Sequence, residues 1–325
     1  MSFKSKIIVT ISVLMFLSLS IFSMVSYLDT KKNSVIQIEA SLKMASRALT
    51  DYIDVWAAGK KSGMESAARY LTDLHSLDRA QVKAILSETT KTLGGFDTTI
   101  GLEDGTAYTG SGTPMPAGYD PRVRGWYKTV KASGKAGVTD AYVDATTNKL
   151  IVSFMAPIIK NGTFLGAAVM DIALDTLVKA TADVNFNGGY GVLFDTKQVI
   201  IAHPNKDLLG KELPSVLPEL SKKLEGKKEG LIEYDYQGKG KIFAFKVSTE
   251  TGWTPSITFD RAVAYSFLTD QIRELMIVGL VMLILSILVM IVLIKALLKP
   301  LDNLNGVVQE LSSSEGDLRQ RLSAS

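Results

Sequence analysis

Arg122 and Arg124, the rings of Tyr119, Trp126, Tyr127 and Tyr142, and the carboxylates of Asp144 and Asp171 are the residue types from which a zwitterion clamp is built. A guanidinium holds a carboxylate through two parallel hydrogen bonds, carboxylates take an ammonium, and ring faces add cation–π attraction while excluding water. An acid at the end of an apolar strand face is either exposed by fraying or buried with a cation. Burial without a partner would neutralise it at a cost of about several kcal/mol.

The elements that must position these groups follow from local pattern. Asp120-Pro121 supplies an N-cap and an N1 proline, which predicts a helix over 121–132. At 100° per residue Val123, Trp126, Tyr127 and Val130 share one face, with Arg122 and Arg124 at its two edges, and the pattern does not choose between the arginines. The competing reading is an amphipathic helix with two solvated arginines. Alternation over 138–144 puts Asp140, Tyr142 and Asp144 on one strand face, and over 164–172 it puts Asp171 with Leu165, Ala167 and Val169.

Composition excludes most other chemistry. Lys+Arg 36 against Asp+Glu 33 leaves +3, far from the basic excess that holds a nucleic-acid backbone. With no cysteine, disulfides, thiolate metal sites and Cys nucleophiles are absent. His75 and His203 stand outside any zinc-binding spacing and leave little for a Ser/His/Asp hydrolase. The expectation is a binding protein that turns over nothing and needs neither metal nor cofactor. His203 reads as a turn or core residue.

Residues 7–28 carry no charge and would span about 33 Å as a helix, and residues 275–294 are equally uncharged, so each is long enough for a bilayer core. The first lacks a small-x-small cleavage signal, which favours a retained anchor. Lys4 and Lys6 before the first span and Lys295 and Lys299 after the second favour cytoplasmic ends. The expected order is a tail (1–6), a first transmembrane helix (7–28), an extracytoplasmic segment (29–274), a second transmembrane helix (275–296) and a C-terminal segment (297–325).

Within the extracytoplasmic segment, Val35, Ile38, Leu42, Ala45, Leu49, Ile53 and Trp56 form one apolar stripe on a long helix, which packs on its own domain or on a second copy. Residues 59–63 read as a helix end, followed by helices over 65–74 and 78–93. Strand and turn signals then appear twice in similar order, the first set punctuated by Asp104-Gly105 and Asn161-Gly162. The fold class is therefore α+β, two antiparallel-sheet modules on one long N-terminal helix, a distal one over about 60–180 and a proximal one over about 185–262.

The run Tyr119-Asp120-Pro121-Arg122-Val123-Arg124-Gly125-Trp126-Tyr127, with Tyr142-x-Asp144 and then Asp171, resembles the amino-acid-binding motif of the double Cache sensor domains of bacterial methyl-accepting chemotaxis receptors, at matching spacings. The resemblance covers about residues 30–265 and implies two PAS-like modules, with the ligand in the distal one. It implies that Arg124, helped by Trp126, holds the ligand carboxylate, and that the tyrosines with Asp144 and Asp171 hold the α-amino group. Lys299-Pro300-Leu301, then Leu304, Val307, Val308 and Leu311 at helical spacing and Glu315-Gly316-Asp317-Leu318, resemble the first helix and connector of a HAMP linker, so the chain is expected to stop inside that unit.

The function this resemblance implies is a transmembrane chemoreceptor of the bacterial inner membrane. It would sense L-amino acids in the periplasm and signal through HAMP, as a homodimer, to a coupling protein and histidine kinase. The alternatives are the sensor of a Cache-containing histidine kinase or cyclic-dinucleotide enzyme, and a receptor for taurine or other amines.

Overall fold

The computed structural model describes residues 3–76, 78–182 and 189–313. The chain divides into two compact units, one of residues 37–264 and one of residues 1–36 with 265–325.

Helix α1 (Phe3–Tyr70) belongs to both units by sequence. Its stripe Leu42, Ala45, Leu49 and Ile53 is buried in the 37–264 unit, so this face packs on the chain's own sheets rather than on a second copy. Trp56 meets Phe154 edge to face at 5.3 Å, and Arg47 forms a bidentate pair with Glu229. The helix does not end at 59–63, and no separate helix covers 65–74. It runs through both glycines to Tyr70 and closes in a 3-10 turn, Leu71–Ser76. At Gly63 the helix comes close to α2's last residue, and a Cβ there would meet the Leu93 side chain. Helix α2 (Arg79–Leu93) starts with the expected Asp78 cap, a reciprocal capping box with Gln81.

The first sheet contains β1 (Asp97–Leu102), β2 (Ala107–Thr109), β3 (Gly137–Val138), β4 (Tyr142–Val143), β5 (Leu150–Lys160) and β6 (Thr163–Ala173), in the order β2-β1-β6-β5-β3, with β4 also on β5. Asn161 and Gly162 both adopt positive φ, 51° and 80°, as the β5–β6 hairpin turn requires. Strand β5 is almost continuously buried because α1 covers one face and α3 (Gly125–Ser133) the other. On that second face Trp126, Tyr127 and Val130 pack against Met155, Ala167 and Val169.

Helix α4 (Leu174–Ala182) leads to the second sheet; the expected junction at 180–185 lies largely outside the described residues. Strands β7 (Tyr190–Phe194), β8 (Ile200–Ala202), β9 (Glu229–Tyr236), β10 (Lys239–Lys246) and β11 (Thr254–Asp260) take the order β8-β7-β11-β10-β9. Helices α5 (Leu213–Val216) and α6 (Pro218–Leu224) lie against this sheet, Leu213, Leu220 and Leu224 packing on Val192, Phe194, Ile232 and Phe243. The strand order repeats that of the first sheet, which is the two-module architecture the sequence implies.

A short helix α7 (Arg261–Ala264) ends this unit, and α8 (Ser266–Ser313) runs through Pro300 without a break. Two helices, within Val9–Asp73 and Arg261–Leu297, are long and apolar enough to cross a membrane. The motif at Glu315 to Leu318 lies outside the described residues.

Candidate ligand-binding site

The segment predicted as one helix over 121–132 is two elements. Pro121–Val123 is a 3-10 turn capped by Asp120, and α3 begins only at Gly125. Arg124 between them is extended, at φ −74° and ψ 145°, so the helical wheel that placed both arginines at the edges of one face does not apply. Val123, expected on the buried face, is 62% exposed. The turn sits tight on β1 because residue 101 is glycine; a Cβ there would meet the Pro121 ring.

This break separates the two arginines. Arg122 turns outward, and its Nε and Nη2 bond the Asp120 carboxylate at 2.9 Å each. Arg124 lines a cavity with Tyr119, Trp126, Tyr142, Asp144 and Asp171, which contains about 380 Å³ of space not filled by protein atoms, counting its open mouth. Its guanidinium lies 6.0 Å from the Tyr119 ring centroid, and its Nη2 reaches the Val143 carbonyl at 3.4 Å. Among the described residues it makes no ion pair.

The acids are held so that each keeps one oxygen uncommitted. Ser153 Oγ and the Tyr142 hydroxyl donate to Asp171 Oδ1 at 2.6 and 3.2 Å. Thr146 Oγ1, Thr147 Oγ1 and the Thr147 N–H donate to Asp144 Oδ2 at 2.6, 2.6 and 2.7 Å. Asp171 Oδ2 and Asp144 Oδ1 have no hydrogen-bond donor among the described residues. Burial pushes the Asp171 carboxyl up to about 7, against the hydrogen bond from Ser153 and with the help of the neighbouring Asp144 charge. Burial also opposes ionisation of Asp144, but the hydrogen bonds from Thr146 and Thr147 outweigh it and hold that carboxyl below its ordinary range. Burial raises the Tyr119 and Tyr142 hydroxyls, so both act as neutral donors.

Six of the seven motif residues thus share one cavity, and Tyr127 does not. Its ring is 1% exposed in the core, edge to face with Trp126 at 5.6 Å and Phe164 at 5.7 Å, and its hydroxyl donates to Glu103 Oε1 at 2.5 Å. Asp140, expected on the face of Tyr142 and Asp144, leaves that face and accepts from Thr196 Oγ1 at 2.5 Å, because β3 and β4 are separate short strands rather than one alternating run.

The cavity also contains residues absent from the sequence reading: Asp97, Thr99, Met115, Ala145 and Thr146. Asp97 lies directly across from Asp171 in the β1–β6 ladder. That pairing joins distant segments, and nothing in local pattern gives its register. Thr146 was legible in principle, since Asp144 followed two and three residues later by threonine is an Asx-turn signal.

A Cache domain family model matches residues 27–266. The methyl-accepting chemotaxis protein PctB of Pseudomonas aeruginosa is 27% identical over 328 residues, covering 99% of this chain and 51% of that protein. McpG, a methyl-accepting chemotaxis protein of Pseudomonas putida, is 27% identical over 326 residues, covering 98% of this chain and 50% of that protein. The chain spans about half the length of these relatives. Among solved structures, the ligand-binding domain of the Pseudomonas fluorescens chemoreceptor CtaA in complex with L-isoleucine matches with a TM-score of 0.63 at 26% identity, over 73% of this chain and 99% of that one. The ligand-binding domain of PctB with L-Gln matches with a TM-score of 0.61 at 27% identity, over 70% and 93%. The chain belongs to the Cache domain family, in the two-module form found in methyl-accepting chemotaxis receptors.

Proposed function

We propose that the chain is the sensory part of a transmembrane chemoreceptor whose distal cavity binds an L-amino acid. One arrangement carries this reading: Arg124, without an ion-pair partner among the described residues, shares a cavity with Asp144 and Asp171, each of which keeps one carboxylate oxygen uncommitted. Arg124, with Tyr119 and Trp126, takes the ligand carboxylate; Asp144, Asp171 and the Tyr142 hydroxyl take the α-ammonium. Both poles are then desolvated against aromatic walls, where charge-assisted hydrogen bonds are strongest. Tyr127 acts at one remove, by packing against Trp126. A zwitterion needs no metal to be held.

The neighbouring structures with L-isoleucine and L-Gln support an amino acid as the ligand class. The wider reading is a receptor of the bacterial inner membrane with the sensor in the periplasm and a HAMP helix after the second span. It signals as a homodimer to a coupling protein and histidine kinase. Met44, Tyr52 and Val55, exposed on α1 away from its buried stripe, support pairing through that helix. A ligand moves such a receptor only by its different affinity for two conformations. The test is a calorimetric and thermal-shift screen of the detergent-solubilised chain against the proteinogenic L-amino acids, with taurine, γ-aminobutyrate and decarboxylated amines as controls. At least one amino acid should bind saturably while its decarboxylated amine does not; failure of every amino acid would sink the reading.

A further inference from the structure

Three acids line the distal cavity, and the amino-acid clamp gives Asp144 and Asp171 to the α-ammonium while leaving Asp97 without a task. Asp97 and Thr99 alternate onto the face of β1 that continues Asp171 and Val169 of β6. Across the sheet, Asp97, Asp171 and Ser153 form one row on β1, β6 and β5, and β4 with Tyr142 lies beyond β5. Asp171 is thus flanked by Asp97 on one side and, on the other, by the groups that hold the α-ammonium. Neighbouring strands stand about 4.8 Å apart, so Asp97 lies about one strand spacing past the ammonium position, on the side of Thr99.

The charges around this row do not balance. Among the lining residues Arg124 is the one cation, against three carboxyl groups. A zwitterion brings one charge of each sign and leaves that excess unchanged. Asp97 Oδ1 accepts the N–H groups of Thr98 and Ser111 at 2.8 and 3.0 Å, and its Oδ2 accepts from Ser111 Oγ at 2.5 Å. All three donors are neutral, and a carboxylate offers about four acceptor sites, so Oδ2 keeps room for one more. No Lys or Arg among the described residues forms an ion pair with Asp97. Its charge is felt next door, where burial, Asp144 and Asp97 together push the Asp171 carboxyl up. Asp171, 7% exposed, lines the same space with its Oδ2 uncommitted, so a second cation entering the row meets acceptors already in place.

We infer that Asp97 determines specificity by taking the side-chain cation of a basic amino acid, of the length of ornithine or lysine. This deepens the reading of the cavity as an amino-acid site and rests on it. With the ligand carboxylate on Arg124 and the α-ammonium at Asp171 and Asp144, a chain of about three or four methylenes covers the one-strand gap to Asp97. Thr99 and Met115 line the cavity beside that chain. The competing role for Asp97 is to pin the turn at Ser111 to β1, and substitution separates the two. Asp97→Asn keeps an acceptor for Ser111 and removes the charge, whereas Ser111→Ala removes the hydroxyl bond and leaves the charge.

The test is calorimetry on the detergent-solubilised full chain with L-ornithine, L-norleucine and L-glutamate, whose side chains have equal length and differ in charge. L-Ornithine should bind at least about tenfold more tightly than L-norleucine, and L-glutamate at least about tenfold more weakly than L-norleucine. Asp97→Asn should cut L-ornithine affinity at least about tenfold and leave L-norleucine within about threefold, so that the preference collapses. Ser111→Ala should keep the preference, and melting of each variant reports whether the fold survives. The inference is overturned if L-norleucine or L-glutamate matches L-ornithine on the parent chain. It is also overturned if a folded Asp97→Asn chain keeps the preference, or if Ser111→Ala abolishes it as fully as Asp97→Asn does. Binding of any other amino acid would then leave the amino-acid reading standing; only failure of every amino acid removes both.

Discussion

The Ala141 N–H donates to Asp195 Oδ2 at 3.0 Å, tying the residue beside Tyr142 in the distal cavity to the β7–β8 turn of the proximal module. The other oxygen, Asp195 Oδ1, accepts the N–H groups of Lys197 and Val199 at 2.9 and 2.8 Å. Next in sequence, Asp140 accepts from Thr196. The strand that carries Tyr142 and Asp144 into the cavity is thus fastened, one residue upstream, to the second module. Asp195→Ala would leave three N–H groups without their acceptor in a site where residue 195 is 2% exposed, at a cost of about 1–3 kcal/mol. We expect a lower melting temperature together with weaker amino-acid binding, measured by calorimetry on the same sample. Unchanged affinity in a destabilised variant would show that the fastening serves stability alone.

The separation of the two arginines predicts opposite outcomes. Arg124→Ala removes one pole of the clamp and leaves a desolvated ligand charge unpaired, a cost of about 2–5 kcal/mol, or roughly 30-fold to several thousand-fold in affinity. Arg122→Ala breaks an exposed pair with Asp120 and should change affinity by less than about fivefold. Titration of both variants with the best amino acid decides between the two arginines, and a reversed result would refute the assignment.

Asp171 gives the ligand-free chain a pH signature. Its carboxyl titrates near 7 when folded and near 3.8 when unfolded, so the folded state holds a proton over that window that the unfolded chain has released. Stability contributed by this group is therefore present at low pH and declines as pH rises from about 4 to 7. Asp144 and Asp97, the acids facing it, add to the repulsion once Asp171 ionises. An amino acid's ammonium favours the ionised form, so affinity should rise as pH passes through about 7. Thermal melts from pH 5 to 8, with and without ligand, test both slopes; Asp171→Asn should lose the apo slope and the binding together.

Tyr127 supplies a control within the motif. Because its hydroxyl meets Glu103 and not the cavity, Tyr127→Phe should lower stability by about 1 kcal/mol and leave amino-acid affinity within about threefold. Burial and the Glu103 hydrogen bond both raise this hydroxyl's pKa, so no ionised form intervenes over the measured range. A loss above about tenfold would place the phenol in direct contact with ligand.

What the sequence alone determined was what local periodicity and turn chemistry encode. Uncharged runs marked both helices that are long and apolar enough to cross a membrane, Asn161-Gly162 marked the β5–β6 hairpin, and the repeated strand order marked two sheets. The residue types of Tyr119, Arg122, Arg124, Trp126, Tyr127, Tyr142, Asp144 and Asp171 suited a zwitterion clamp, with the resemblance to the double Cache motif implying Arg124, before any of them could be placed in space. The choice between Arg122 and Arg124 was beyond pattern, because it depends on one extended residue between a 3-10 turn and a helix, where the 100° rule has no meaning. Gly63 signalled a helix end only because sequence does not reveal that Leu93 packs against it. Asp97 entered the cavity through a ladder between distant strands, and Tyr127 left it for Glu103, since register and side-chain partners across the sheet are set by the packed core rather than by neighbours in the chain.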